Sequence, residues 1–455
     1  MGCPLALLAT LALAAAPPPT PSHPRTVDLP QLLEAARDQA SVRVAKASAR
    51  QAHGKASEVL WMWGPLIEVT AVGGPSQRIT CLPSSDQCIT TEPDQTRIGF
   101  DGIFGRLDAK LLMPLWTFGK LTDGKRAADA GATAGDALAE ASSHGAALDA
   151  ARAYFAVKLG RELLAMLEEG QKYVEDELKR EEELLAQGSG DVTEADRRRV
   201  LTLREEIAAR RSEARKVEEL GLAGVHYALG TGEADVDPGP LRPLAFELPG
   251  VAQVRQASLA RPEQRAAAAG ADAAARLVDV EWDKWWPDLV LVASGTLAGS
   301  TAVDHPKNAF MVDPYNNVSA VIGIALRWAP EPFLRLPKIE QAQAERAKAE
   351  ATLEMARVGL AAEAEKTLAE ARDAHEQMRA GKAGQKQARA WLAAVLQSEA
   401  AGLVEAKDLA DALLQYFQMR ARVIQATFEW NVKVLSLQQA TGQAPGGLGW
   451  AAEED

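Results

Sequence analysis

The sequence predicts an α+β fold made by duplication, in which each half holds a pair of β-strands followed by a long helical hairpin. Three observations lead there. Residues 120–187 run without proline and are rich in Ala, Glu, Lys, Arg and Leu. These are strong helix formers, and one helix of that length would measure roughly 100 Å. Short segments of period-two alternation stand between such helical stretches, the clearest being Val318, Ala320, Ile322, Ile324, Leu326 and Trp328 on one face. Finally, landmarks recur at a constant spacing: Trp116 and Trp328, Gly190 and Gly402, Asp196 and Asp408, and Gly230 and Gly442 all differ by 212. A fixed offset sustained over such a distance marks an internal repeat.

The elements follow in order. Residues 1–16 predict a secretory signal, because the apolar run 5–16 is too short to span a bilayer as a helix and Ala12-Leu13-Ala14 suits a cleavage site. No Lys or Arg precedes that run, and Cys3 lies before it rather than after it, where a lipid-anchoring cysteine would stand. Residues 17–27 form a proline-rich tether. The first repeat, 28–230, is expected to hold a helix from Leu29 to Trp63, strands at about 65–80 and 96–113, and a hairpin over 117–230 with its tip at 188–193. Gly230 ends the return helix. Residues 231–250, rich in proline and glycine, form the linker. The second repeat, 251–442, is expected to hold a helix running into a Trp cluster, strands at about 287–300 and 315–328, and a hairpin over 335–442 with its tip at 401–405. Residues 443–455 form a tail.

Pro65 and Pro287 differ by 222, so the first inter-strand loop is ten residues longer than the second. The longer loop carries Cys81 and Cys88 around turn-forming Pro, Ser and Asp, which suits a local disulfide in an oxidising compartment. Two free thiols are the alternative. No His or further Cys lies near enough in sequence to complete a metal tetrahedron, and no metal site is expected.

At 455 residues, 47% apolar and 25% charged, the chain has the composition of a folded protein. A net charge of −12 without any acid-free basic cluster argues against nucleic acid as a partner. Beyond the leader, no charge-free apolar segment reaches 18 residues, so any membrane contact must be made by a β-barrel, the other fold that satisfies every backbone group in lipid. Four strands are too few to close a barrel, so several chains must share one, or the strands lie outside a membrane. Of ten Trp residues, Trp61, Trp63, Trp116, Trp282, Trp285, Trp286 and Trp328 fall at helix–strand junctions. They fit an interfacial aromatic girdle, or the packing of a crowded junction. The six His residues are scattered, without metal-ligand spacing or a glycine-rich phosphate loop, so neither an enzyme nor a cofactor is expected.

A signal, a duplicated strand pair plus helical hairpin, a proline at the end of the first helix of each copy, and a glycine followed six residues later by Asp after each long helix resemble the TolC-type outer-membrane efflux proteins. The segments RPEQRAAAAGADAAARLVDVEWDKWWPDLVL and MPLWTFGK are similar to the family's approach to its third strand and to its long helix. The resemblance covers about residues 28–442. It implies a homotrimer whose chains give four strands each to a twelve-stranded barrel in the bacterial outer membrane, continued by an α-helical barrel through the periplasm. The function implied is a passive exit duct of a tripartite efflux or type I secretion system. Its partners would be outer-membrane lipid, a periplasmic adaptor (membrane fusion) protein and an inner-membrane pump. The adaptor would dock at the tips, here Gly188 and Gly190 in one and Gly402, Leu403 and Val404 in the other. The alternatives are a periplasmic adaptor, which would carry one hairpin and end in β-structure, and a structural coiled-coil envelope protein, which would not need recurring strand pairs.

Asp408 and Asp411 match the family's D-x-x-D-A pattern and would form a cation-favouring ring at the channel's narrowest point. Read locally, both acids also suit the first turns of a helix, where they meet the positive end of the dipole. Asp196 is the equivalent of Asp408 but is followed by Arg197, Arg198 and Arg199, so it makes no second ring. Near Gly402, where the family places polar and aromatic latch partners, this chain has Glu399 and Val404.

Overall fold

Helix-forming composition, unbroken over two stretches, sets the frame of the molecule. The computed structural model describes residues 25–76, 78–81, 88–89, 102–187, 193–304, 313, 315–400 and 406–451. Within them the first half holds strand β1 (Arg25–Val27), helices α1 (Leu29–Ala36) and α2 (Ala40–Trp61), strands β2 (Leu66–Ser76), β3 (Thr80–Cys81), β4 (Cys88–Ile89) and β5 (Gly102–Trp116), and helices α3 (Lys120–Ala186) and α4 (Glu194–Leu229). The second half holds β6 (Ala234–Val236), α5 (Val251–Ser258), α6 (Pro262–Asp283), β7 (Asp288–Ser300), β8 (Asn317–Arg327), α7 (Pro332–Ala400) and α8 (Ala406–Ala440). The duplicated strand pair and long hairpin are thus the fold found. With 67 and 69 residues, α3 and α7 each extend for about 100 Å.

The four long strands form one antiparallel sheet in the order β2-β5-β7-β8, so each repeat supplies a hairpin and the two hairpins join between β5 and β7. The strand bounds depart from expectation. β2 stops at Ser76 rather than near 80, because the chain turns into the separate β3–β4 ribbon. β5 continues past 113 to Trp116 despite Pro114, which donates no ladder hydrogen bond; the register with β7 shifts between Pro114 and Trp116 to absorb it. Residues 96–101 lie outside the described residues.

Three other expectations are corrected. The first helix is broken at residues 37–39: α1 buries Leu29, Leu32, Leu33 and Ala36, whereas α2 lies along α3 and buries chiefly Val42, Ala49 and Ala56. The corresponding helix of the second repeat is also two, with Pro262 opening α6 at a position where a missing N–H costs nothing. The tether and the linker carry order as well, since β1 pairs in parallel with β6. The tail folds back onto the linker, with Ala245 N–H donating to Gly449 O at 2.8 Å and Ala451 N–H donating to Pro243 O at 2.9 Å.

The β1–β6 pair, the linker and the tail form a girdle about midway along α3 that encloses the largest buried cluster among the described residues, including Leu32, Phe155, Val225, Val236, Leu244 and Leu435. Lys158, nearly fully buried, pins the linker to α3 by donating to Asp237 Oδ2, Asp237 O and Gly239 O, each at 2.7 Å. Burial pushes the Asp237 carboxyl up, but the hydrogen bonds from Lys158 and Tyr154 outweigh it and hold the group below its ordinary range. At the girdle α3 and α4 touch through glycine: a Cβ on Gly221 would lie 2.7 Å from the backbone N of Val157.

Candidate functional site: a two-faced sheet and a bridged helical tip

Directly opposed residues in an antiparallel sheet share a face, so the register sorts the sheet into two surfaces. One carries Ile67, Val69 and Ala71 on β2, Leu107, Ala109 and Leu111 on β5, Leu291, Ala293 and Leu297 on β7, and Val318, Ile322 and Ile324 on β8. It is apolar across all four strands, and Val318 and Ile322 are 81% and 75% exposed in the single chain. The other face carries Glu68 across from Lys110, Thr70 across from Asp108, and Ser294 and Thr296. There Arg106 grips Asp108 with two hydrogen bonds of 2.6 and 2.9 Å, and the Thr296 hydroxyl donates to Asp108 at 2.7 Å. An apolar exposed face backed by a charged one is the pattern of a barrel with lipid outside and water inside. It inverts the rule for a water-soluble sheet, whose apolar face is the covered one. Within the chain β2 and β8 pair on one side only.

The seven predicted tryptophans gather at one end of this sheet, where β2 and β7 begin and β5 and β8 end. Trp61, Trp116, Trp286 and Trp328 are exposed; Trp328 Nε1–H donates to Trp285 O at 3.0 Å, and Phe118 stacks on Trp286. At this junction the strand-to-helix turns use left-handed backbone. Gly119 (φ 104) leads into α3 and Glu331 (φ 40), its equivalent at the same offset, leads into α7. The Asp283 carboxylate packs where a Cβ on Gly119 would stand, and its pKa is pushed up to about 6 by burial and then by the neighbouring Asp123.

At the far end of the hairpins, Thr193 and Asp196 form a capping box that starts α4. Hydrogen bonds from the Thr193 hydroxyl and backbone hold the Asp196 carboxyl below its ordinary range. Asp196 is therefore a helix-starting residue. Asp408 lies in the first turn of α8 and is exposed, while Asp411 is half-exposed and accepts from Arg199 Nη2 at 2.9 Å. The structure thus separates the two predicted aspartates: Asp411 is bridged to α4, and Asp408 has no ion-pair partner among the described residues. Arg199 and Asp411 differ by 212, so the repeat's own equivalents touch. Along α8, Asp408, Gln418, Arg422, Gln425 and Glu429 are exposed, opposite the buried or half-buried Leu409, Leu413, Phe417 and Ile424.

Of the remaining predicted residues, Gly188, Gly190, Gly402, Leu403 and Val404 lie outside the described residues. The backbone sets Cys81 directly across from Cys88 in the β3–β4 ribbon, a separation compatible with a bridge. Among the described residues no group of three or more His, Cys, Asp or Glu is placed to hold a metal, and no helix is long and apolar enough to cross a membrane. Sequence reasoning missed Arg199 and the Arg106–Asp108–Thr296 cluster. The first was findable by adding 212 to each Arg of the first tip, the second from the polar positions alternating in RLDAKLL and LVASGTL.

Residues 254–443 match the family model described as outer membrane efflux protein. No curated protein matches the chain in sequence. In fold the chain is similar to the Campylobacter jejuni CmeC outer membrane channel, with 15% identity, a TM-score of 0.73, and coverage of 91% of this chain and 85% of that one. The outer membrane protein VceC of Vibrio cholerae gives 16% identity, a TM-score of 0.73, and coverage of 92% and 97%. The open state of the Neisseria gonorrhoeae MtrE outer membrane channel gives 16% identity, a TM-score of 0.73, and coverage of 92% and 89%.

Proposed function

We propose that this chain, an outer membrane efflux protein by the family that residues 254–443 match, is the passive exit duct of a tripartite efflux system, set in the outer membrane and reaching through the periplasm. The observation that carries the reading is the sheet: apolar and exposed on one face, charged on the other, and continued at its tryptophan end into helices about 100 Å long. Open edges cannot persist in lipid. β2 of one copy therefore pairs with β8 of the next, and three copies close a twelve-stranded barrel with the Arg106–Asp108 face inward. The tryptophans sit at its periplasmic rim, where an amphipathic ring is most stable.

The helices then enclose a water-filled tube, with the polar stripe of α8 toward the lumen and Asp408 and Asp411 at the constriction. The Arg199–Asp411 bridge holds the tip closed, replacing the latch partners absent near Gly402. An adaptor docks on the glycine tips, at Gly188 and Gly190 and at Gly402, Leu403 and Val404, and the inner-membrane pump supplies energy and selects the cargo. The chain performs no catalysis. The Cys81–Cys88 pair closes the tip of the longer inter-strand loop as a disulfide, and the unreduced protein resists thiol alkylation at both positions; ready labelling of both refutes the bridge.

Reconstitution in planar bilayers tests the duct. Trimers with a small cation-selective conductance are expected, and absence of the protein from the outer-membrane fraction would sink the reading.

A further inference from the structure

Between α4 and α8, with α3 as its floor, runs a groove of about 790 Å³, in the range of small-molecule sites. Its floor and walls are mainly apolar, with Leu163, Met166 and Val217 along it and the rings of Tyr173 and Phe417 in tilted contact at 6.2 Å between centroids. Gly170 leaves the Phe417 ring room: a Cβ there would already lie 3.6 Å from it. At the tip end, Glu181 reaches the groove from α3. Its side chain belongs to a residue only 2% exposed, and its Oε2 has no hydrogen-bond partner among the described residues.

A buried carboxylate oxygen without a partner costs free energy unless something else satisfies it. The nearby basic groups are engaged elsewhere. Arg199 bridges Asp411, Arg180 lies 3.7 Å from Glu177, and Arg197 reaches Glu182 and Glu194. Burial, then Glu177 and Asp196, raise the Glu181 carboxyl above its ordinary range, against the opposing pull of Arg197. The groove therefore offers one carboxylate oxygen without a hydrogen-bond partner among the described residues, at the end of an aromatic and aliphatic trough that Arg199, Arg210 and Arg422 also line.

We infer that this groove is a binding site for a small amphiphilic organic cation, with its protonated nitrogen on Glu181 and its aromatic body against Tyr173 and Phe417. The charge complements the one acid left unsatisfied, and the rings favour a cation or a flat aromatic group over an aliphatic chain. The site is built by α3, α4 and α8 of one chain, with Leu396 of α7 beside it, and it shares Gln418, Arg422 and Gln425 with the lumen wall of the duct reading.

The test is a fluorescence-anisotropy titration of the full-length protein in lipid nanodiscs with a cationic rhodamine ester, with anionic fluorescein as its counterpart and protein-free discs subtracted. Saturable binding of the rhodamine is expected, weakened at least tenfold by the near-isosteric Glu181→Gln. Tyr173→Ala, which removes a ring that is 44% exposed, is expected to weaken it several-fold while the melting temperature stays near wild type. Equal binding by wild type and Glu181→Gln, equal affinity for fluorescein, or no saturable binding each overturns the inference. Conductance of the same preparation keeps the two readings apart, since a protein that conducts without binding the dye loses only this site, and one that binds without conducting loses only the duct.

Discussion

If the Arg199–Asp411 bridge holds the tip shut, removing Arg199 should open it and removing Asp411 should open it differently. The two side chains are 51% and 42% exposed, which puts the pair among surface ion pairs worth about 0.2–1 kcal/mol each. In a trimer that opens in a concerted way three bridges act together, roughly 0.6–3 kcal/mol, or about a 3- to 150-fold change in the ratio of open to closed channel. Single-channel recording in planar bilayers reads both occupancy and ion preference. Arg199→Ala should raise the time-averaged conductance and strengthen cation preference, because Asp411 is left unpaired at the lumen. Asp411→Asn should also raise conductance while weakening cation preference, and Asp408→Asn should weaken preference without changing opening. High salt should bring wild type toward the Arg199→Ala behaviour, because partly exposed pairs are screened. Arg199→Ala channels with wild-type conductance and wild-type dwell times would show that the bridge is no latch and return Asp411 to the local reading of an acid near the start of α8.

Ile324→Lys puts a charge on the apolar face of β8, at a cost of about 2–4 kcal/mol per chain near the bilayer midplane; the protein should vanish from the outer-membrane fraction, whereas Ser319→Lys on the other face should assemble. Gly221→Val forces a side chain to within 2.7 Å of the Val157 backbone N, which cannot yield as a flexible side chain would. The expected loss is about 1–3 kcal/mol or more, measured as a lower midpoint of thermal unfolding. Asp283 binds its proton more tightly in the folded state, with a pKa pushed up to about 6; stability is therefore lost as pH rises from the ordinary carboxylate range through about 6. Asp283→Asn should leave the melting temperature near wild type at pH 4 and raise it at pH 8, and an equal effect at both values would discount the titration.

The parts of this fold legible in the sequence are those fixed by composition and period over long distances. Residues 120–187 could only be helix, and the 212-residue offset aligned the second hairpin to the first before any contact was known. The strand pairs were legible because β8 alternates cleanly. What escaped depends on contacts between distant segments. β1 and β6 are three residues each, and their pairing joins positions 25–27 to 234–236, beyond the reach of any periodicity. The break between α1 and α2 has no proline or glycine to announce it; it exists because Leu32 and Leu33 enter the girdle core while α2 follows α3. At the tip, the pattern D-x-x-D-A drew attention to both aspartates, but only the fold shows that one of them already has a cation.

The meeting of Arg199 and Asp411 also bears on the shape of the tube. Their helices are not neighbours in the wall: α3 packs on α4 along one side and on α8 along the other, so α4 and α8 are separated by α3. In a flat or gently curved wall with helix spacings of about 10 Å, helices once removed stand roughly 20 Å apart. An Arg–Asp hydrogen bond of 2.9 Å requires their backbones to approach to about half that distance, given the reach of the two side chains. At this level α4 and α8 must therefore lean together over the concave side of α3, which is also what closes the tip end of the groove holding Glu181. Arg199 and Asp411 are equivalent by the repeat, so on the proposed reading their meeting would narrow the ring. In a trimer, three Arg199 and three Asp411 then alternate around that narrowing, a neutral ring when bridged. On the proposed reading, breaking the bridges would free the helices to part and at the same moment uncover three carboxylates on the path of the ions.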